Sequence, residues 1–439
     1  MAANKFYQSY ALKSNDGKEI LEMYEDKVLI VALTLGNGDT KLALDIANKL
    51  IKQEFQPATP TFLNAGRARG GEMVSCFLIN VEDSCEGISY AISSANHLSK
   101  IGGGVALNLT RLRASGEDIK DIQGVSGGVV GVAKMLENSF SYFNQMGTRQ
   151  GAGAVYINIL HTDCELLLDT KKINADEKIR LATLSIGIMI PDVFMKLAEE
   201  NKNAYAFYPH SVFKKYGVNL DEIDMNAWYD KLANDCDIRK KEINPRQLLT
   251  RIAQTQQESG YPYVVYIDTA NKEHTLKDVG KIKMSNLCCE IFQYQTPSDI
   301  QGYGGNNDWG QDISCNLGSL NIANVMDNKD IEKTVEVAIK ALTFVSDNTN
   351  INQVPTVKKG NDASHSIGLG AMNLHGYLVR EGILYTSQEA IDFVNVFFAL
   401  IRYYAIKTSM NIAMERKETF VGFEASEYAK GKNSDVLRK

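Results

Sequence analysis

Several features that would assign this chain to a familiar class of protein are missing from its sequence. The apolar run at residues 28–35 is too short to cross a bilayer, and the polar first residues contain no secretory apolar region. The seven cysteines include no C-x-x-C spacing, which leaves a structural zinc site without support. We therefore expect a cytoplasmic protein without a membrane span or a bound metal.

An excess of basic charge is also missing. The chain has 47 Lys and Arg residues against 53 Asp and Glu residues, a net charge of -6, which argues against nucleic acid as the main ligand. Small phosphorylated ligands need only a few local cations and stay compatible with this charge. The motif G-x-G-x-x-G is absent, and Gly280-Lys281 lacks the Ser or Thr of a P-loop, which disfavours a dehydrogenase or a P-loop ATPase.

The sequence does contain a regular alternation of apolar, strand-like runs with helical periods. Its 439 residues, 44% of them hydrophobic and 23% charged, have an ordinary globular composition. We predict a helical lead-in over residues 1–56, with Asp39 as a helix cap, and an α/β domain over 57–439. Residues 58–67 are predicted as a turn-rich loop and 201–242 as an irregular periphery. The predicted strands are 73–81, 105–109, 154–160, 184–190, 262–268 and 312–322, and the predicted helices are 88–101, 129–144, 193–200, 331–347 and 388–416.

An amide, a thiol and a carboxylate alternate in the short stretch that reads Ser-Asn-Leu-Cys-Cys-Glu. In an extended backbone Asn286, Cys288 and Glu290 share one face, whereas Leu287 and Cys289 point away from it. This arrangement predicts a pocket that holds all three functional groups. A half-buried strand with an inert cysteine is the alternative that the stretch alone leaves open.

Eight motifs along the chain resemble, in order and spacing, the large subunit of class I ribonucleotide reductase, and class Ib is the closest branch. The resemblance covers residues 6–430 and implies a ten-stranded α/β barrel of two five-stranded halves, with the Ser-Asn-Leu-Cys-Cys-Glu stretch on a finger loop inside it. The motifs are Thr59-Pro-Thr, Ser75-Cys-Phe, Gly102-Gly-Gly, Arg149-Gln-Gly-Ala-Gly-Ala-Val-Tyr, Asn174-Ala-Asp-Glu-Lys-Ile-Arg, Gly260-Tyr-Pro-Tyr, Asn286-Leu-Cys-x-Glu and Ser314-Cys-Asn-Leu-Gly-Ser.

The resemblance implies catalytic roles for five residues. Cys288 would carry a thiyl radical that takes the 3′ hydrogen of a ribonucleoside diphosphate, and Glu290 would accept the proton of the 3′ hydroxyl. Asn286 would hold the reacting hydroxyls. Cys76 and Cys315 would supply two electrons by closing to a disulfide.

The resemblance also implies where the substrate binds. Thr59, Ser75 and the backbone at Gly104 would hold the diphosphate, Leu287 would line the substrate, and Arg149 would lie on a loop that reports effector binding. For the glycines around Gly104, a simple helix-ending turn is the alternative.

An effector site for a deoxynucleoside triphosphate or ATP at a dimer interface is implied as well. Asp83 would contact the ribose or base, and Arg113 and Lys120 would contact the triphosphate. A solvated charged loop is the alternative. The expected partners are a radical-generating, metal-containing small subunit, a glutaredoxin- or thioredoxin-like reductant and a second copy of the large subunit.

The chain departs from the family at both ends, since it lacks an activity domain and stops inside the second half of the barrel. We expect a second chain to supply the missing relay tyrosines and the C-terminal cysteine pair. A non-catalytic remnant that binds effector or dimerises is the alternative function. Tyr403-Tyr404 is predicted to be core packing rather than the relay. The other cysteines, Cys85, Cys164, Cys236 and Cys289, are predicted to be buried structural residues.

Overall fold

The computed structural model describes residues 2–68, 71–144 and 150–431. The chain divides into two compact units. The terminal unit comprises Met1–Ser75, Ser314–Asn350 and Asn361–Lys439, and the central unit comprises Cys76–Ile313 and Ile351–Gly360.

Strands and helices alternate along most of the described chain, which confirms the predicted α/β class. The strands are β1 (Phe55–Pro57), β2 (Cys76–Asn80), β3 (Gly104–Asn108), β4 (Gly153–Asn158), β5 (Ser185–Ile190), β6 (Ala204–Phe207), β7 (Lys240–Ile243), β8 (Tyr263–Tyr266), β9 (Ile313–Asn321) and β10 (Ile367–Met372). The helices are α1 (Ala2–Ser9), α2 (Tyr24–Gly36), α3 (Thr40–Ile51), α4 (Thr59–Asn64), α5 (Cys85–Ile101), α6 (Gly128–Tyr142), α7 (Cys164–Asp169), α8 (Asp192–Glu199), α9 (Pro209–Tyr216), α10 (Met225–Asn234), α11 (Pro245–Ser259), α12 (Ile267–Glu273), α13 (Ile322–Asn328), α14 (Ile331–Asp347), α15 (Pro355–Ser364), α16 (Leu374–Arg380) and α17 (Gln388–Arg416).

The central unit is built on a parallel sheet in the strand order β2, β3, β4, β5, β8. Every residue of β2, β4 and β5 is buried, as is typical of parallel strands covered by helices on both faces. The register pairs Cys76 with Gly104 and Val105 with Gly153. The amino ends of β2, β3 and β4 therefore lie side by side, and so do their carboxyl ends.

Residues 201–242 are not the irregular periphery that their polarity predicts. They form the antiparallel pair β6 and β7 and the helices α9 and α10, with Phe207 and Leu232 fully buried. Their apolar side chains are few, but they recur on one face of each short helix, which is enough to bury that face.

The terminal unit contains helices α2, α3, α14 and α17 and a small sheet. In this sheet β9 pairs antiparallel with β1 and parallel with β10. Asp39 accepts a hydrogen bond from the amide of Leu42, which confirms it as the cap of α3. The predicted bounds of α14 and α17 match the structure.

Two predictions for the terminal unit are wrong. Residues 59–64 form the short helix α4 rather than a loop, because Pro60 lies in the first turn, where its missing N–H costs nothing. Tyr403 is 46% exposed, so it is not a core residue.

Within the described ranges, no helix has the length and apolar character needed to cross a membrane.

Candidate active site

The stretch around Cys288 is a turn, not the extended strand that alternation predicts. The amide of Cys289 donates to the carbonyl of Asn286 at 3.1 Å, and Cys289 has a φ of 68°, in the left-handed region. That conformation is uncommon for a residue with a side chain and reverses the chain locally. The extended backbone that the alternation argument assumes is therefore absent here.

The side chain of Asn286 holds this turn together. It is 0% exposed, and its Oδ1 accepts hydrogen bonds from the amides of Glu290 at 2.9 Å and Ile291 at 3.0 Å. The hydroxyl of Ser285 donates to the carbonyl of Ile291 at 2.9 Å and closes the base of the turn. Both side chains thus satisfy backbone groups that a turn leaves without partners.

The turn projects Cys288 and Glu290 to the surface of the central unit, where both are exposed. It also packs against the amino end of the sheet. The Nδ2 of Asn286 lies 3.5 Å from the Sγ of Cys76, and a Cβ at Gly104 would lie 2.9 Å from the Cδ2 of Leu287. Asn286 therefore lies against Cys76 and Leu287 against Gly104, and a side chain at position 104 would require Leu287 to shift.

Tyr156, which the sequence analysis did not single out, supports the turn through a hydrogen bond. Its ring is fully buried on β4, and its hydroxyl donates to the carbonyl of Asn286 at 2.6 Å. Burial and the neighbouring Cys289 thiol raise the pKa of Tyr156. Cys289 thus lies against Tyr156, whereas Cys288 is exposed. The only sequence signal was that Tyr156 closes the motif beginning at Arg149.

A pair of tyrosines, Tyr261 and Tyr263, includes one residue that interacts with the thiol of Cys288. The rings of Tyr261 and Tyr263 lie 5.4 Å apart in an edge-to-face contact, and the hydroxyl of Ser185 donates to that of Tyr261 at 3.0 Å. Burial, Tyr261 and then Cys288 raise the pKa of Tyr263. The surroundings of Cys288 are therefore aromatic as well as polar.

The other predicted active-site residues belong to the terminal unit. Cys315 is buried on β9, and its carbonyl lies 3.4 Å from the hydroxyl of Ser75. The hydroxyl of Thr59, at the start of α4, lies 3.4 Å from that of Tyr10. The predicted disulfide between Cys76 and Cys315 stays a prediction.

The predicted effector residues lie beyond the opposite, carboxyl ends of β2 and β3. Both the backbone amide and the Nε of Arg113 donate to the carboxylate of Asp83, at 3.0 and 2.8 Å. Lys120 is exposed in the same loop. Arg149 lies outside the described residues. Asp83 and Arg113 are therefore adjacent, and their side chains form an ion pair.

The side chain of Glu117 connects this loop to the first turn of α9 through hydrogen bonds. Its carboxylate accepts hydrogen bonds from the amides of Ala114 at 2.7 Å, Ser211 at 3.0 Å and His210 at 3.4 Å. Burial raises the pKa of Glu117 to about 7, against the three backbone hydrogen bonds that lower it. The carboxyl group therefore changes its charge near neutral pH.

A buried arginine also lies beyond the carboxyl ends of the parallel strands. The guanidinium of Arg111 donates to the carboxylates of Glu82, Asp221 and Glu222 at 2.6–3.0 Å, and its side chain is 1% exposed. A cavity of about 350 Å³ adjoins Asp221 and is lined also by Lys283. None of the described residues that line it belongs to the predicted sites.

The remaining cysteines differ from one another. Cys164 is buried as predicted, but Cys85 and Cys236 are exposed, so the prediction of burial is wrong for those two. Asp235, Cys236 and Asp237 lie close enough to hold a metal ion. The ammonium of Lys215 donates to the carboxylates of Asp235 and Asp237 at 2.6 and 2.9 Å and offsets part of their negative charge.

The parallel sheet and the thiol-bearing turn at its amino edge define an α/β protein with a cysteine site. Two family profiles match the chain: "Ribonucleotide reductase, all-alpha domain" over residues 1–70 and "Ribonucleotide reductase, barrel domain" over residues 74–439. The chain therefore belongs to the ribonucleotide reductase family. The resemblance seen in the eight motifs is confirmed.

Known proteins agree with this assignment. The ribonucleoside-diphosphate reductase subunit alpha of Bacillus subtilis is 54% identical over 99% of this chain and 62% of its own length. The subunit alpha of Mycoplasma pneumoniae is 47% identical over the whole chain and 61% of its own length. A subunit alpha of Bacillus phage SPbeta is 56% identical over 66% of the chain and 27% of its own length. The chain thus spans less than two thirds of these relatives.

Proposed function

We propose that this chain is the catalytic component of a ribonucleoside-diphosphate reductase, which converts ribonucleoside diphosphates to deoxyribonucleoside diphosphates. The observation that carries the proposal is the turn held by Asn286, which exposes Cys288 beside Glu290. The similarity to proteins named ribonucleoside-diphosphate reductase over 99% of the chain supports it. Because those proteins are longer, the complete activity is proposed for an assembly that includes further polypeptide.

In the proposed reaction the sulfur radical of Cys288 takes the hydrogen from C3′ and becomes a thiol. Glu290 accepts the proton of the 3′ hydroxyl and returns it at the end of the cycle, whereas the 2′ hydroxyl takes a proton from one thiol of the Cys76 and Cys315 pair and leaves as water. The thiols of Cys76 and Cys315 then close to a disulfide and supply the two electrons and two hydrogens that the reduction needs. Cys288 finally returns its hydrogen to C3′. The exposure of Cys288 and Glu290 on one turn supports these roles.

The proposed substrate contacts are Thr59, Ser75, Leu287 and the backbone at Gly104. The absence of a side chain at Gly104 supports this proposal, because a Cβ there would lie 2.9 Å from the Cδ2 of Leu287 and would narrow the approach to the backbone. Arg149 is proposed to report effector binding to this site. Asn286 has a supporting role in addition to the predicted contact with hydroxyls, because its Oδ1 already accepts two backbone amides.

The proposed effector is a deoxynucleoside triphosphate or ATP, bound by Asp83, Arg113 and Lys120. The ion pair between Arg113 and Asp83 places a cation and an acceptor side by side, as a triphosphate with a ribose hydroxyl requires. We expect Arg113→Ala to weaken triphosphate binding more than tenfold by calorimetry. Lys100→Ala, which changes an exposed lysine of α5, is the control and should bind normally.

The proposed partners follow the family. A metal-containing small subunit would supply the radical, a glutaredoxin- or thioredoxin-like protein would reduce the disulfide, and a second copy of the large subunit would form the dimer. A second chain would supply the part of the relatives that this chain does not match.

Nucleotide reduction by a reconstituted assembly tests the proposal. The chain is combined with the unmatched part of the Bacillus subtilis subunit, a radical-generating subunit and a dithiol, and the formation of deoxycytidine diphosphate is measured. We expect activity from the assembly and none from the chain alone. Cys288→Ser should abolish it, whereas Cys289→Ser, at the neighbouring position, should retain it within a few fold. An active Cys288→Ser assembly, or an inactive unsubstituted one, would contradict the proposal.

A further inference from the structure

Helix α17 has two apolar faces, and only one of them is covered within the terminal unit. The covered face carries the buried residues Phe397 and Ile401, and α17 packs on α14. Ion pairs from Lys407 to Glu332 and from Arg416 to Asp347 attach the two helices at the flank. This face explains how α17 is held.

The second face is a regular stripe of apolar residues, the α17 seam. Its members follow one another at alternating spacings of three and four residues: Val396, Ala399, Tyr403, Ile406, Met410 and Ala413. This is the spacing by which one helix packs along another. Each residue turns the helix by about 100°, so the seam lies on the side of α17 opposite Phe397 and Ile401.

The seam runs along about five turns of helix, with three of its six residues exposed and the other three partly exposed. Val396 is 61%, Tyr403 46% and Met410 52% exposed. Single exposed apolar residues are common on protein surfaces, but a helix with apolar stripes on both sides is ordinarily buried between other elements. Nearby apolar side chains on and after α16 are exposed too, among them Val379 and Leu384 at 62% and 71%.

We propose that the α17 seam is the docking surface for an amphipathic helix from the ribonucleotide reductase polypeptide that this chain does not match. The inference rests on the proposed function, which already requires such polypeptide. The relatives are similar along the whole of α17, yet the chain accounts for only 61–62% of their length. The remaining polypeptide of these relatives is therefore the occupant for which there is direct support.

The recognition is apolar packing of knobs into holes, with Tyr403 as the largest side chain. Tyr403 stacks edge to face on Tyr404 at 5.2 Å, and Lys407 lies over the Tyr404 ring at 6.0 Å. These contacts hold the Tyr403 ring in place before a partner helix arrives. The surface is thus partly organised in advance, which lowers the entropy lost on docking.

The test uses the unmatched part of the Bacillus subtilis subunit alpha as the probe, co-expressed with this chain. We expect a one-to-one complex whose dissociation constant rises at least tenfold with Met410→Glu. Ser409→Glu is the control, since Ser409 is exposed on the same turn but lies about 100° around the helix from the seam. Its dissociation constant should change less than threefold.

A second seam variant, Val396→Glu, guards against a local defect at Met410, and circular dichroism checks that each variant folds. The inference is overturned if no complex forms, or if the seam variants bind as tightly as the Ser409→Glu control. It is also overturned if sedimentation shows that the seam instead joins two copies of this chain. An assembly that reduces nucleotides but ignores the seam variants would refute the inference alone. A seam-dependent assembly without reductase activity would refute the proposed function alone.

Discussion

At the scale of single residues, the carboxamide of Asn286 decides the shape of the site. It is fully buried and accepts the amides of Glu290 and Ile291, and Tyr156 holds the carbonyl of the same residue. A buried amide that satisfies two backbone donors stabilises the turn whether or not it also contacts a substrate. The exposure of Cys288 therefore depends on a neighbour that is itself out of reach of solvent.

Replacing this amide should lower the stability of the protein. We predict that Asn286→Ala reduces the free energy of unfolding by about 1–3 kcal/mol, because backbone donors of the turn lose their acceptor. Urea denaturation measures the change. Cys288→Ser, at the exposed position of the same turn, should change it by less than about 0.5 kcal/mol. An Asn286→Ala variant as stable as the unsubstituted protein would restrict Asn286 to ligand contacts.

The carboxyl group of Glu117 should make the stability depend on pH. Burial raises its pKa from 4.5 to about 7 in the folded protein. Between these two values the folded state holds one more proton, so the free energy of unfolding falls as the pH rises, by about 1.4 kcal/mol per unit and about 3 kcal/mol in all.

We predict that Glu117→Gln flattens this decrease between pH 4.5 and 7, as measured by urea denaturation across that range. Asp118→Asn is the matched control because Asp118 is the exposed neighbour in the same loop. It should retain the decrease. Equal pH profiles for Glu117→Gln and the unsubstituted protein would show that Glu117 titrates normally.

Removal of the buried guanidinium of Arg111 should lower the free energy of unfolding. Arg111→Met leaves the carboxylates of Glu82, Asp221 and Glu222 without their shared cation, and we predict a loss of about 3–5 kcal/mol in the free energy of unfolding. Arg380→Met, which removes an arginine 43% exposed in its pair with Asp327, should cost no more than about 1 kcal/mol. Chemical denaturation of both variants gives the comparison, and similar losses would contradict it.

The candidate site residues could be proposed from the sequence, but their geometry could not be predicted. Asn286, Cys288 and Glu290 are recognisable from their order and from the surrounding motifs. The turn is set by contacts with Tyr156 and Gly104, which lie far away along the chain. Alternation assumes a local strand, and it fails where such distant contacts decide the backbone.

At the scale of secondary structure, the central sheet is fitted closely around the Tyr156 ring. A Cβ on Gly187 of β5 would lie 2.2 Å from the Cε1 of Tyr156 on β4. The buried ring has little room to move, because every residue of β4 and β5 is buried. Glycine at position 187 therefore allows Tyr156 to support the turn.

We predict that Gly187→Ala lowers the free energy of unfolding by about 1–3 kcal/mol through overpacking. Gly131→Ala is the control, since Gly131 lies in α6 with nothing within 4 Å of the new methyl group. It should raise the stability by about 0.5–1 kcal/mol, because alanine is the better helix former. Thermal denaturation compares the two variants, and a stable Gly187→Ala variant would contradict the close fit.

Long, strongly periodic elements were predictable, and short polar ones were not. The bounds of α14 and α17 follow from apolar periods of many turns. The segment 201–242 has too few apolar residues for a period to stand out, although its helices bury Leu232 and Tyr229. For α17 the periodicity predicted the helix correctly but not the exposure of Tyr403, because a second apolar stripe looks the same in sequence whether it is covered or open.

At the scale of the whole molecule, the family profiles match 1–70 and 74–439, and the relatives are longer than the chain. The exposed α17 seam and the proposed need for further polypeptide are consistent with each other. We therefore predict that the proposed reaction takes place only in an assembly, with Cys288 as the radical carrier and Cys76 and Cys315 as the reductant.

The most direct measurement is a single turnover of that assembly without external reductant, followed by thiol alkylation and peptide mass spectrometry. We predict one deoxynucleoside diphosphate per chain and, in equal amount, a disulfide that joins the peptides containing Cys76 and Cys315. Cys164, which is buried and whose pKa burial raises to about 12, should remain a thiol throughout and serves as the internal control. Product formation with Cys76 and Cys315 both still reduced would contradict the proposed role of this cysteine pair as the reductant.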